Sequence, residues 1–116
     1  SFQFYIRDGY ISCMATQRSS DVVVAGGWNI AYCALLTHML AVHHNLKADR
    51  LIWNVGDVHI YNNLIDGVNE QIKRRPRIYP KIKIINRPND ITKYEYENIK
   101  ITGYNPYEKI KYEMSA

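Results

Sequence analysis

Arg18, Ser19 and Asp21 close a β-patterned run, and Asn29 follows the double glycine Gly26-Gly27. An arginine presents a rigid fork of donors matched to a phosphate, a serine adds a hydroxyl, and an asparagine amide both donates and accepts. Together they offer what is needed to hold a nucleotide at its phosphate and at its base. The same residue types have plainer uses: an Arg and an Asp three apart form a solvated ion pair, and an Asn ahead of an apolar run caps a helix. Further along, His59 and Tyr61 are separated by one residue in LIWNVGDVHIY. On a strand their imidazole and phenol point to one side, where they can share a ligand hydroxyl or be satisfied by backbone groups. His38, His43 and His44 gather at the far end of an apolar segment without a carboxylate or thiol nearby in sequence. That pattern complements a helix dipole and predicts no metal. Cys13 and Cys33 give neither a metal spacing nor a disulfide framework, and predict buried free thiols.

Elements must position these groups. Residues 2–6 and 10–21 read as strands joined by Arg7-Asp8-Gly9, a hairpin signal because Asp-Gly accepts positive φ at little cost. On the second strand Cys13, Ala15, Gln17, Ser19 and Asp21 share one face and Met14, Thr16, Arg18 and Ser20 the other. Neither face is wholly apolar, which suits an interface or a cleft. Val22 to Val24 end the β-branched run, and Ala25-Gly26-Gly27 predicts a tight, flexible break before a helix from about 29 to 44. Ile30, Cys33, Ala34, Leu36 and Leu40 spread around most of that helix and predict a central, buried one. After a polar connection over 45–49, residues 51–61 read as a strand broken at Gly56-Asp57. Asn63 is placed to cap a helix to about residue 75, ended by Pro76. KIKII reads as a short strand, and Asp90 as the cap of a short helix, ITKYEYENI. Residues 99–101 are extended before the turn Gly103-Tyr104-Asn105-Pro106, and 109–116 form an alternating tail.

At 116 residues and 47% hydrophobic, one domain is the upper bound. No apolar run approaches the roughly 20 residues of a membrane helix, and no signal segment is visible, so a soluble, cytoplasmic protein is expected. The first residues, SFQFYIRDGY, begin inside a strand pattern, which suggests a piece of a longer fold. The net charge of +4 suits an anionic ligand. Lys73, Arg74, Arg75, Arg77, Lys81, Lys83 and Arg87 concentrate the positive charge in one segment, which keeps nucleic-acid binding open without favouring it. Basic residues leaving a helix also complement its dipole, and ten tyrosines without an RNA-binding motif make no stacking platform.

Taken together, QRSSD, WNIAYCALLTHML, GDVHIY, RRPRIYPK and GYNPYEKIKYEM resemble, in order and spacing, the C-terminal part of thymidylate synthases, over the whole chain. The resemblance implies an α/β (α+β) fold with a mixed β-sheet and packed helices, incomplete without an N-terminal half, working as a homodimer. It implies methylation of dUMP, with 5,10-methylenetetrahydrofolate as one-carbon and hydride donor. Arg18 and Ser19 would hold the dUMP phosphate, Asn29 the uracil edge, His59 and Tyr61 the deoxyribose hydroxyl. Asp21 and Ala25 would meet the folate, and the C-terminal residues ending at Ala116 would close over it and exclude water.

The nucleophilic Cys of the family lies in a Pro-Cys-His context just ahead of the FQFY strand, and neither Cys13 nor Cys33 occupies that place. No catalytic residue is therefore expected in these 116 residues, and the chain alone is expected to be inert. Also absent are the family's N-terminal phosphate-binding arginines, those borrowed from the partner subunit among them, and the glutamate that manages proton transfer at the base. Ala25 stands where the family usually has Gly, and its methyl would crowd the folate if the backbone there needs positive φ. Gly26, Gly27 and Trp28 stand where a Leu-Pro-Phe-like run is usual, and Trp28 beside Asn29 would reshape the pocket. That points to a second reading, a dUMP hydroxymethylase in which water rather than hydride completes the reaction. A third is a non-catalytic relative that binds nucleotide or RNA or serves as a structural subunit.

Overall fold

Asp8 and Gly9 take positive φ, 51° and 80°, as a two-residue hairpin turn requires. The turn joins β1 (Phe2–Arg7) to β2 (Tyr10–Asp21), antiparallel, with Phe2 opposite Ala15 and Arg7 opposite Tyr10. The coordinates are a computed structural model and describe residues 1–114.

The break expected after β2 is absent. Asp21 Oδ1 accepts hydrogen bonds from the backbone N–H groups of Val23 and Val24, both at 3.2 Å, and so caps a π-helical turn, Val22–Gly26. Gly26 and Gly27 are both right-handed helical, and the turn runs straight into α1 (Gly27–His43). The β-branched valines are therefore helical, since the cap supplies partners for N–H groups that a strand would have left to a neighbour. The continuous stretch Val22–His43 is 22 residues, long and apolar enough by those measures alone to cross a membrane, contrary to the sequence expectation. Asn45, at φ 55°, ends α1: Leu46 N–H bonds Ala41 C=O at 2.7 Å and Asn45 N–H bonds Val42 C=O at 3.3 Å, a Schellman closure.

One stripe of α1, Cys33, Thr37 and Ala41, is buried on the sheet side, where Ile11, Cys13 and Ala15 of β2 are buried too. Small side chains on both surfaces let helix and strand approach closely. The expectation of a helix buried all round does not hold: Trp28 is 79% exposed and Tyr32 62%, although Tyr32 meets the Phe2 ring at 6.2 Å. It faces an apolar groove of about 740 Å³, lined also by Leu35, Ile82, Ile99 and Ile101.

α1 is the crossover that lets β3 (Lys47–His59) lie parallel to β2, from Tyr10 opposite Lys47 to Asp21 opposite His59. β3 begins four residues before the predicted strand and is not broken at Gly56. A Cβ at Gly56 would stand 2.8 Å from the Arg18 carbonyl oxygen, so glycine serves close strand approach rather than a break. A 3₁₀ turn, Asn62–Leu64, then leads into α2 (Ile65–Ile72), which ends short of residue 75. Leu64, 1% exposed, holds the cap position of α2 without a side-chain hydrogen bond. Asn63 does not cap; its amide donates to the Glu113 carbonyl at 3.4 Å.

β4 (Lys81–Ile84) pairs antiparallel with β5 (Ile99–Thr102) in a separate two-stranded sheet. Between them the predicted helix splits into two single 3₁₀ turns, Ile91–Lys93 and Tyr96–Asn98. Asp90 does cap the first, accepting from Thr92 N–H at 2.8 Å. Mixed sheets with packed helices make the fold α+β, as expected.

Candidate functional site

In a parallel pair joined by a helix, the carboxyl ends of the strands and the amino end of the helix converge, and ligands of such units bind there. The register sets Ser19 opposite Asp57, Ser20 opposite Val58 and Asp21 opposite His59. The close contact at Gly56 fixes Arg18 beside the same stretch of β3. Asn29, in the first turn of α1, donates from Nδ2 to Ser20 Oγ at 3.4 Å, so its amide faces the end of β2 rather than capping the helix. Arg18, Ser19, Asp21, Asn29 and His59 are thus gathered on one end of the β2–α1–β3 unit.

His59 Nδ1 lies 3.5 Å from Asp57 Oδ1, and its ring meets that of Tyr61 edge-on at 5.4 Å. The two rings stand together although β3 ends at His59 and Tyr61 lies beyond the predicted strand's observed end, and Asp57 flanks one imidazole nitrogen. Gln17 ties the strands: Nε2 donates to the Ser19 carbonyl at 2.9 Å, and Oε1 accepts from Trp53 Nε1 at 3.1 Å. This brace fixes the backbone on which Ser19 and Arg18 stand. Sequence reasoning passed over Gln17, Ser20 and Asp57 as positioning groups. Gln17 and Asp57 sit inside QRSSD and GDVHIY, which was the available signal.

Ala25 lies in the π turn, and among the described residues positive φ at a non-glycine position is confined to Asp8, Asn45 and Asn86. The steric objection to its methyl therefore falls. Trp28 lines the apolar groove with Ile82, Ile99 and Ile101, while the Asn29 amide is turned to Ser20 Oγ. Ala116 lies outside the described residues. Both cysteines are buried and free, and the Cys33 thiol is pushed up, first by burial and then by Cys13. His43 and His44 pack edge to face at 5.2 Å, and among the described residues no cluster of His, Cys, Asp or Glu has the makings of a metal site.

The basic segment is partly committed. Arg74 pairs with Glu70 at 3.0 Å and donates to the Glu108 carbonyl at 2.7 Å, while Arg77 donates to the carbonyls of Asn105 and Pro106, each at 3.2 Å. Two of its arginines therefore hold the chain's own backbone, not a free surface for nucleic acid.

A family model described as thymidylate synthase matches residues 1–116. The chain is 46% identical over 115 residues to a thymidylate synthase of Francisella tularensis subsp. holarctica (strain LVS), covering 99% of this chain and 42% of that protein. It is 44% identical over 114 residues to one from Buchnera aphidicola subsp. Acyrthosiphon pisum (strain APS), covering 98% and 43%. A thymidylate synthase of Coxiella burnetii (strain Dugway 5J108-111) is 44% identical over 110 residues, covering 95% and 42%. The chain thus spans well under half the length of these relatives. With the match running over all of its residues, 1–116, the chain belongs to the thymidylate synthase family.

Proposed function

We propose that the chain is the nucleotide-holding part of a thymidylate synthase that methylates dUMP, with 5,10-methylenetetrahydrofolate as cosubstrate. The observation that carries this reading is the convergence of Arg18, Ser19, Asn29 and His59 on one end of the parallel β2–β3 pair. Arg18 and Ser19 bind the phosphate through a charge-assisted fork and a hydroxyl. Asn29, with one N–H directed at Ser20 Oγ, keeps its carbonyl to accept from uracil N3–H and its second N–H for O4. His59, held by Asp57, and Tyr61 share the deoxyribose hydroxyl.

The residues present fit a folate at its pterin end. Asp21 spends Oδ1 on the π-turn cap, which leaves Oδ2 to accept from the ligand, and Ala25 beside it carries no backbone strain. When bound, the folate supplies the one-carbon unit and the hydride. The nucleophilic thiol comes from outside these residues, a reading supported by the burial of both Cys13 and Cys33. A homodimer is supported by the open sheet face, where Gln3, Tyr5, Arg7, Met14 and Ile52 line a hollow of about 700 Å³. Trp28, in its groove, lends no weight to the hydroxymethylase alternative.

The test is Arg18→Ala in the complete protein. dUMP affinity should fall by about 1.5–3 kcal/mol, the scale of a charged hydrogen bond. Unchanged affinity in a folded variant would sink the assignment.

A further inference from the structure

Glycine in the middle of a short helix is costly on propensity, and Gly67 occupies such a place in α2. A Cβ built there would overlap the Tyr112 ring, with Cε1, Cζ and Cδ1 all within 3.2 Å. The ring therefore occupies the space that a side chain at residue 67 would take. One turn further on, Gln71 Oε1 accepts the Tyr112 hydroxyl at 2.8 Å. The contact is one of a series. Arg77 donates to the Asn105 carbonyl and side chain and to the Pro106 carbonyl, and its guanidinium lies 3.8 Å from the Tyr107 ring centre. Arg74 donates to the Glu108 carbonyl, and Asn63 to the Glu113 carbonyl. Residues 105–113 are not regular structure, yet their carbonyls are gripped at both ends and the ring seats between.

We propose that Gly67 and Tyr112 form a notch and peg that lock residues 105–113 along α2, making Tyr112 the positioning residue that fixes where the C-terminal end leaves the body. α2 begins four residues after Tyr61, through a 3₁₀ turn closed by Leu64 N–H on the Tyr61 carbonyl at 3.0 Å. The mount for the C-terminal strap thus follows directly on the end of β3 at His59 and on Tyr61, which caps the 3₁₀ turn. The lock stands on the geometry alone; its kinetic consequence rests on the folate reading of the C-terminal residues given above.

The experiment is amide hydrogen exchange on the complete protein and its Gly67→Ala, Tyr112→Phe, Tyr112→Ala and double Gly67→Ala/Tyr112→Ala variants. If Gly67 is a notch, Gly67→Ala expels the ring and residues 107–113 exchange about tenfold faster or more. Tyr112→Ala does the same, the double variant adds nothing further, and Tyr112→Phe, which keeps the ring, is also faster than the parent. If Gly67 is merely a poor helix former, Ala stabilises α2 and exchange in the strap is unchanged or slower; that result overturns the proposal, as does additivity in the double variant. Exchange in α1 and β2 is the control for folding. In the same variants KM for the folate should rise severalfold at unchanged dUMP affinity. Faster exchange with unaltered folate KM keeps the lock and removes the folate reading of the C-terminus.

Discussion

Tyr112 carries a pH signature of its own. Burial, and then Glu70, push its phenol above the ordinary value of 10.0, with Arg74 acting in the opposite direction. A raised value in the folded protein means that the folded state holds the proton more tightly. The stability it lends is complete below the unfolded value and is lost as pH rises through the folded one. Residues 105–113 should therefore loosen above about pH 10, read by exchange within that segment, and the alkaline step there should vanish in Tyr112→Phe. A step that persists there belongs to another group. Single residues differed in how far the sequence revealed them. Arg18, Asn29 and His59 were legible because their chemistry is unusual at that spacing, though their roles await the affinity measurement. Gln17 and Gly67 were not, because each acts on a neighbour that only the folded chain brings near, Trp53 and Tyr112; Asp57, two residues from His59 on one strand, was within reach of alternation and was passed over.

Among the elements, the hairpin was legible from Asp8-Gly9, and α1 from its long apolar run, while the start of that helix was misread. Val22 to Val24 favour a strand on propensity, yet the Asp21 cap turns them into a π turn. Gly56 was misread for a related reason, since a glycine in a strand pattern signals a break and a close approach with the same letter. Its substitution distinguishes them. Gly56→Ala forces a methyl to within 2.8 Å of the Arg18 carbonyl, and should destabilise the protein by about 1–3 kcal/mol in a denaturant titration. By moving the backbone of Arg18 it should also weaken dUMP binding. An unchanged midpoint would mean that β2 and β3 have slack to part.

For the molecule as a whole, the buried apolar set among the described residues is small: Ile11, Cys13, Ala15, Cys33, Ala41 and Leu64. Trp28, Tyr32 and Ile101 stand open along the 740 Å³ groove. A contiguous apolar surface of this kind marks an interface or an aggregation liability. Expressed on its own, the 116-residue chain should bind an apolar-surface dye and self-associate, and dye binding should fall in the complete protein; a monomeric chain that binds no dye would contradict this. The α+β class was implied by the family resemblance, but which face of α1 lies open was not legible, because the helix is apolar all round and its pattern names no outer side. The parallel pairing of β2 with β3 also orders events in time. A hairpin such as β1–β2 closes on the scale of about 1–10 μs, whereas a parallel pair waits for its crossover to form. The strands bearing Arg18 and His59 therefore meet late, and under the proposed function a nucleotide spanning them would add its binding free energy to the last step of assembly rather than the first.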